Sequence, residues 1–296
     1  MNDLNTLRFA GIDIGSNAVR LLVNDVLPGK TYKDAFLKKS AYIRLPLRLG
    51  GDVFTINKIG KEKADNLVRA MFVYKELLHF YGVTIFRACA TSATREAENS
   101  LEIIERVKKE AGFDIEVISG TQESMLLYET NKYNLPYGDT FLSADLGGGS
   151  LQVTLFQGDN LLWNHSFQIG TVRILNNAVE KSEFQLFETK LREISKKYPN
   201  LTLIGSGGNI NKMSSIISNK TLVKSDFEHL HQLLDPLTIE ERIRIHDLRF
   251  DRADVIVPAI EIYSKVLEYT GLEKIYVPKI GLADGIIRQL YEENHG

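Results

Sequence analysis

The chain has 296 residues, with 36 Lys and Arg against 38 Asp and Glu and a formal net charge of −2. That length exceeds one typical domain, and the balanced charge gives no general electrostatic drive toward DNA or an acidic membrane surface, so neither is an expected partner and any polyanion must be held by a local site. A single cysteine, Cys89, excludes an internal disulfide and a zinc cluster built on several thiolates; with no basic-then-apolar leader and no apolar run long enough to span a membrane, the expectation is a soluble cytoplasmic protein.

Apolar runs of strand length alternate with helical patterns, which predicts an α/β protein. "RFAGID" and "AVRLLVND" flank the polar turn "IGSN" and read as a hairpin, with a third strand near "AYIRLPL". A helix is predicted over about 57 to 81, with Leu67, Met71, Tyr74 and Leu78 on one stripe and Gly82 past its end. "VTIFRACA" reads as a buried strand. Asn99 and Glu102 form a capping-box-like start to a helix carrying Ile103, Ile104, Val107 and Ala111 and stopping at Gly112. Next come a strand in "FDIEVI" and a helix capped by Ser119 with Gln122, which places Glu123 in the first turn beside a strand end.

The second half starts afresh. "FLSADLGGGSLQVTLFQGDNLLWNHSF" reads as strand, glycine turn, strand, Asp-Asn turn, strand, the layout that opens the first half, and Asp145 follows Asp13 by about half the chain. A helix near 182 to 197, the strand "LTLIG", the turn "SGGN", several helices, the late strand "EKIYVP" and a closing helix complete the pattern. Pro136 and Gly138 mark the best boundary, giving domains 1–136 and 137–296 with a crevice between them and the last helix (about 281–294) packing back on the first domain. The stripe Ile256, Ile260, Tyr263 and Leu267 is expected in the core. The six histidines show no metal spacing, and "DLRFDRAD", with Arg249 and Arg252, either pins the helix behind it or lines a groove for a polyanion.

Three glycine turns follow strands: "DIGSN", "DLGGGS" and "GSGGN". Successive backbone N–H groups in such turns form anion cradles that no side chain obstructs. An aspartate precedes two of them, and phosphoryl chemistry needs carboxylates of this kind because Mg2+ takes hard oxygen ligands beside phosphate oxygens.

Paired glycine hairpins in duplicated domains resemble the actin, Hsp70 and sugar-kinase superfamily. The ordered motifs "GIDIGSNAVRLL", "ATSATREAEN", "ISGTQES", "DLGGGS", "QIGTVR" and "GSGGN" resemble the exopolyphosphatase and guanosine pentaphosphate phosphohydrolase (Ppx/GppA) family over nearly the whole chain. The resemblance implies two actin-like, ribonuclease H-like domains, each with a mixed five-stranded sheet and flanking helices, and an active site in the crevice. It implies Mg2+-dependent release of terminal phosphate from inorganic polyphosphate, or conversion of the guanosine polyphosphate pppGpp to ppGpp. Glu123 would orient or deprotonate the attacking water, and Arg95 and Arg20 would bind phosphate oxygens. Ser16, Asn17, Gly147, Gly148, Gly149 and Ser150, with Gly207 and Gly208 of the later turn, would cradle phosphates, and Asp145 and Asp13 would hold the metal or its waters.

Several residues depart from the family pattern. Gln152 stands where a second glutamate is usual, losing the charge but keeping an acceptor oxygen; Asn209 replaces a threonine, and Ala283 and Asp284 replace an arginine and a glutamate. Slow hydrolysis, altered substrate preference and binding without turnover are all compatible with these changes, as is, from a third class, a small-molecule kinase of the same superfamily. A crevice enzyme of this size could form a homodimer through either domain.

Overall fold

In a computed structural model, the described residues are 7–30, 34–131, 140–158 and 160–295. The chain divides into two compact units, Met1–Tyr133 with Gly281–Gly296 and Asn134–Ile280. The boundary expected at Pro136 and Gly138 lies outside the described residues, as does Asp159 of the expected Asp-Asn turn.

The first unit contains β1 (Leu7–Ile14), β2 (Val19–Leu27), β3 (Phe36–Leu45), α1 (Leu49–Ile56), α2 (Lys61–Phe80), β4 (Ile85–Ala90), α3 (Ser92–Glu96), α4 (Ser100–Ala111), β5 (Ile115–Val117) and α5 (Gly120–Asn131). Its five strands run β3-β2-β1-β4-β5. The first three form antiparallel hairpins, whereas β4 and β5 lie parallel to β1, so β1, β4 and β5 all end at one edge.

The helix expected from 57 to 81 begins later, and a separate short helix precedes it. Asn57 adopts a left-handed conformation (φ 58°) that caps α1 on the Val53 carbonyl, and Gly60 opens α2 while donating its N–H to Asp52. The Leu67, Met71, Tyr74 and Leu78 stripe is buried as expected. Asn99 does precede α4, but its side chain makes no cap; it bonds the N–H and C=O of Ile59 and fastens the loop before α2.

The second unit contains β6 (Thr140–Leu146), β7 (Leu151–Gln157), β8 (Asn160–Phe167), α6 (Thr171–Leu175), α7 (Lys181–Lys197), β9 (Leu201–Ser206), α8 (Gly208–Ile217), β10 (Thr221–Val223), α9 (Lys224–Leu234), α10 (Ile239–His246), α11 (Phe250–Ala253), α12 (Ile256–Thr270) and β11 (Lys274–Tyr276). Its sheet has six strands, in the order β10-β11-β9-β6-β7-β8, where five were expected. The addition is β10, three residues paired antiparallel to β11; a strand that short carries no readable alternation. Helix α12 buries Ile256, Ile260, Tyr263 and Leu267 in one core with β6, β7 and α7, and Phe167, Phe187 and Tyr269 stack edge to face at 5.3 Å steps.

The last helix, α13 (Leu282–His295), belongs to the first unit. It packs on β1 and α5, where Ile286, Ile287, Leu290 and Tyr291 share a core with Phe9, Leu22, Cys89 and Leu126. Among the described residues, no helix is long and apolar enough to cross a membrane.

Candidate functional site

In the first unit, the carboxyl ends of β1, β4 and β5 deliver the residues singled out from the sequence. Such an edge is where open α/β sheets bind ligands. The β1–β2 turn closes with the Gly15 N–H on the Ala18 carbonyl at 3.1 Å, and β4 joins it where the Thr91 N–H meets the Ile14 carbonyl at 3.1 Å. Buried Ser16 and Ser92 share a 2.8 Å hydroxyl contact. Asp13 is 5% exposed and forms an ion pair with Arg20, its partner in register on β2. Two residues assigned separately, to metal and to phosphate, thus meet each other.

Ser119 and Gln122 form the expected reciprocal cap of α5: Gln122 Oε1 accepts the Ser119 N–H at 2.8 Å and Ser119 Oγ accepts the Gln122 N–H at 3.2 Å. Glu123 follows in the first turn, 9% exposed, with its Oε2 4.0 Å from Arg95 Nη1. Arg95 is fixed in turn by a 2.8 Å bond to the Ile118 carbonyl at the end of β5. Cys89 is no rival nucleophile: burial, and next the charge of Glu116, push its thiol up to about 12.

The second unit repeats the hairpin with the same spacing. Asp145 ends β6 as Asp13 ends β1, the Gly147 N–H bonds the Ser150 carbonyl at 2.9 Å, and Gln152 occupies the cross-strand position that Arg20 holds opposite Asp13. Gln152 is buried and donates from Nε2 to Ser166 Oγ at 2.8 Å. Asp145 therefore faces a neutral amide across its strand pair where Asp13 faces a cation.

The motif "QIGTVR" supports this turn from one side. The Gly147 carbonyl accepts the Thr171 N–H at 3.1 Å, the Gly148 carbonyl accepts the N–H groups of Val172 and Arg173 at 2.8 and 3.2 Å, and the Gly149 carbonyl accepts Arg173 Nε at 2.9 Å. In a trans peptide, the C=O of one residue and the N–H of the next point in opposite directions, and there is no cis peptide among the described residues. Three carbonyls drawn toward α6 therefore turn the N–H groups of Gly148, Gly149 and Ser150 away from it, into one row of donors. Gly170 makes the support possible: a Cβ there would lie 2.3 Å from the Gly148 carbonyl oxygen. The first unit builds a shorter row the same way, since Gly50 and Arg48 donate N–H groups to the Ser16 and Asn17 carbonyls at 2.8 and 3.0 Å and turn the Asn17 and Ala18 amides outward.

Gly207 (φ 104°) and Gly208 form the third turn, at the N-terminus of α8. A Cβ on Gly207 would come within 3.3 Å of Asp145 Oδ1, and one on Gly208 within 2.9 Å of the Arg252 guanidinium, so this turn lies beside the first aspartate of the motif. Tyr263, expected as plain core, also joins the two strand ends: its hydroxyl donates to the Ser206 carbonyl and accepts the Leu146 N–H at 3.3 Å. Burial first, and then the charge of Asp145, hold that hydroxyl well above the ordinary tyrosine range, so it stays a donor. From the sequence, Arg173 carries no role and Tyr263 only a place in the core; "QIGTVR" was visible, but only contacts between distant segments show what it grips. The Arg252 guanidinium is placed beside Gly208, while Arg249 is exposed at the start of α11.

Among the described residues, no three of His, Cys, Asp and Glu gather to hold a metal by themselves. Mg2+ does not require such a cluster, since it keeps most of its waters and binds through one or two carboxylates together with phosphate oxygens. Asp145, beside this row of outward amides, is a carboxylate that could hold such an ion, and Asp13 is paired with Arg20.

Glycine-turn hairpins at the strand ends of two mixed sheets define a two-domain α/β protein with actin-like folds. The chain belongs to the Ppx/GppA phosphatase family, whose model matches residues 41–294. The bifunctional 3-dehydroquinate synthase/phosphatase of Fusobacterium nucleatum is 31% identical over 92% of this chain, which spans 45% of that longer protein. Exopolyphosphatase 1 of Mycobacterium tuberculosis is 24% identical over 98% of this chain and 90% of its own. Among solved structures, the Aquifex aeolicus member of the Ppx/GppA family superimposes with a TM-score of 0.78 at 26% identity, covering 98% of this chain and 100% of the other. An exopolyphosphatase from Cytophaga hutchinsonii shares the fold, with a TM-score of 0.82 at 24% identity over 97% and 98% of the two chains.

Proposed function

We propose that the protein is a phosphoanhydride hydrolase that releases terminal phosphate from inorganic polyphosphate or converts pppGpp to ppGpp. The observation that carries this reading is Glu123: a nearly buried carboxylate in the first turn of α5, 4.0 Å from Arg95, at the strand edge that also bears the β1–β2 turn. The names of the mycobacterial exopolyphosphatases support the substrate class.

Glu123 orients the attacking water and accepts its proton, helped by a helix N-terminus that favours the carboxylate. Arg95, with its guanidinium anchored on Ile118, offers its remaining donors to the oxygens of the phosphoryl group in flight. The outward amides of Asn17 and of Gly148, Gly149 and Ser150 bind phosphate oxygens, with Ser16, Gly147, Gly207 and Gly208 shaping the turns around them. Asp145 would hold Mg2+, which when bound would neutralise charge developing on the leaving phosphate.

A second reading, phosphate-ligand binding with little turnover, is favoured by Gln152, a buried amide across from Asp145 where the resemblance expects a carboxylate. The test is phosphate release from medium-chain polyphosphate and from pppGpp with Mg2+, comparing wild type, Glu123→Ala and Gln152→Glu. Turnover that Glu123→Ala reduces about 100-fold or more supports the hydrolase and its base, and the faster substrate defines the specificity. Silence in wild type with activity gained by Gln152→Glu favours the binding protein; silence in both, with no ligand bound, overturns both readings.

A further inference from the structure

The three carbonyls of the Gly147–Gly149 segment are not held alike. Thr171, Val172 and the Arg173 main chain fix the first two with backbone N–H groups, which any residue but proline supplies, and the Thr171 hydroxyl adds a 3.4 Å bond to the Gly147 carbonyl. Among the described residues, the Gly149 carbonyl has one partner, the Nε of Arg173 at 2.9 Å. The Gly149 carbonyl and the Ser150 N–H share a peptide plane, so the direction of one sets the direction of the other. Arg173 is 6% exposed, and its own carbonyl accepts the Ala178 N–H at 3.0 Å, which clasps the end of α6. A long cationic side chain that would ordinarily reach solvent is thus kept beneath the turn and directed at a main-chain oxygen.

We infer that Arg173 is a positioning residue: its bond to the Gly149 carbonyl aims the Ser150 N–H, the third donor of the row, at a phosphate oxygen. This rests on the reading of the turn as a phosphate cradle. The competing role, a guanidinium that attracts the polyanion by its charge, makes opposite demands on substitutions. Positioning needs one N–H donor at the right reach, and charge is dispensable. Attraction needs charge, and the donor geometry is dispensable.

Three variants separate them: Arg173→Gln keeps a donor without charge, Arg173→Lys keeps charge without the planar fork, and Arg173→Met keeps neither. Each is assayed for hydrolysis of medium-chain polyphosphate with Mg2+ and for hydrogen exchange at the Thr171 and Val172 amides, which the turn's carbonyls protect. Positioning predicts that Arg173→Met lowers kcat/KM by about 10- to 100-fold, less than the ~100- to 1000-fold cost of losing an oxyanion donor outright because the Ser150 N–H is misdirected and not removed, and speeds exchange, while Arg173→Gln recovers most of both. Arg173→Gln falling as far as Arg173→Met while Arg173→Lys matches wild type overturns it in favour of charge. Wild-type values in all three also overturn it. If Arg173→Met does not fold, the contrast of Gln with Lys decides alone. If wild-type protein hydrolyses nothing, the hydrolase reading fails by itself and exchange still decides the brace: faster in Met than in Gln supports it, equal rates overturn it.

Discussion

Asp13 and Asp145 stand at corresponding places in two hairpins whose turns have the same length and the same closing hydrogen bond, yet one looks across its strand pair at Arg20 and the other at Gln152. The two turns are also supported differently. In the first, main-chain groups of Arg48 and Gly50 hold the carbonyls; in the second, main-chain groups of α6 are joined by the side chain of Arg173. Turn geometry is set by backbone bonding and so survives divergence of side chains. The charge around it depends on side chains, the cross-strand neighbour among them, so the two sites can take different roles with the same backbone.

The largest effect should come from the support itself. Gly170→Ala places a methyl group 2.3 Å from main-chain atoms of the second turn, which no rotamer change relieves. We expect a loss of about 1–3 kcal/mol in urea unfolding and a fall of about 100-fold in kcat/KM. Gly50→Ala, its counterpart in the first unit, meets the Phe54 ring at 2.5 Å, a side chain that can turn, and the Ser16 Cβ at 3.0 Å, and should cost less, about 1 kcal/mol. Equal losses at the two positions would mean that the turns are braced alike.

The aspartates give the next contrast. Asp13→Asn removes the carboxylate paired with Arg20 in a mostly buried ion pair and should cost about 1–3 kcal/mol. Asp145→Asn should lower Mg2+-dependent turnover more than Asp13→Asn does, because Asp145 is the carboxylate proposed to hold the ion. A larger turnover loss at Asp13 would break the comparison. Gln152→Glu sharpens it: two carboxylates facing each other across β6 and β7 should lower Tm in the absence of Mg2+, by the equivalent of about 0.5–1 kcal/mol, and added Mg2+ should restore it. A Tm indifferent to Mg2+ would remove Asp145 as a metal ligand.

The smallest effect lies away from both turns. Asp25, on the outer part of β2, is pushed up by partial burial, but hydrogen bonds from Ser40 and Arg8 outweigh that and hold its carboxyl below the usual range. Because the folded value is the lower one, the stabilisation is present above the unfolded value of about 4 and is lost as the pH falls through the folded value. Asp25→Asn should cost well under about 1 kcal/mol at pH 7, given a half-exposed Arg8, and nothing once the pH is below the folded value. A penalty that persists in acid would assign the effect to packing.

Much of the fold and of the site was legible in the order of residues. Strand alternation and glycine turns pointed to both hairpins, the Ser119–Gln122 cap placed Glu123 in a first helical turn, and the apolar stripes of α2 and α12 marked core faces. The misses share a cause. Asn99 has the composition of a cap but bonds Ile59, far along the chain; β10 is too short to show a period; and Arg173 and Tyr263 act on main-chain oxygens contributed by other segments.

The sequence by itself determined the features that local chemistry dictates: which stretches are strands, where glycine permits a tight turn, and which carboxylates stand beside it. Only the tertiary structure decided which partner each of those groups meets: that Asp13 is paired with Arg20, that Asp145 faces Gln152, and that the Gly147–Gly149 carbonyls are gripped from α6 so that their neighbouring amides form a row. Hydrogen-bond direction is fixed by contacts between residues remote in sequence, and periodicity along a chain carries no information about them.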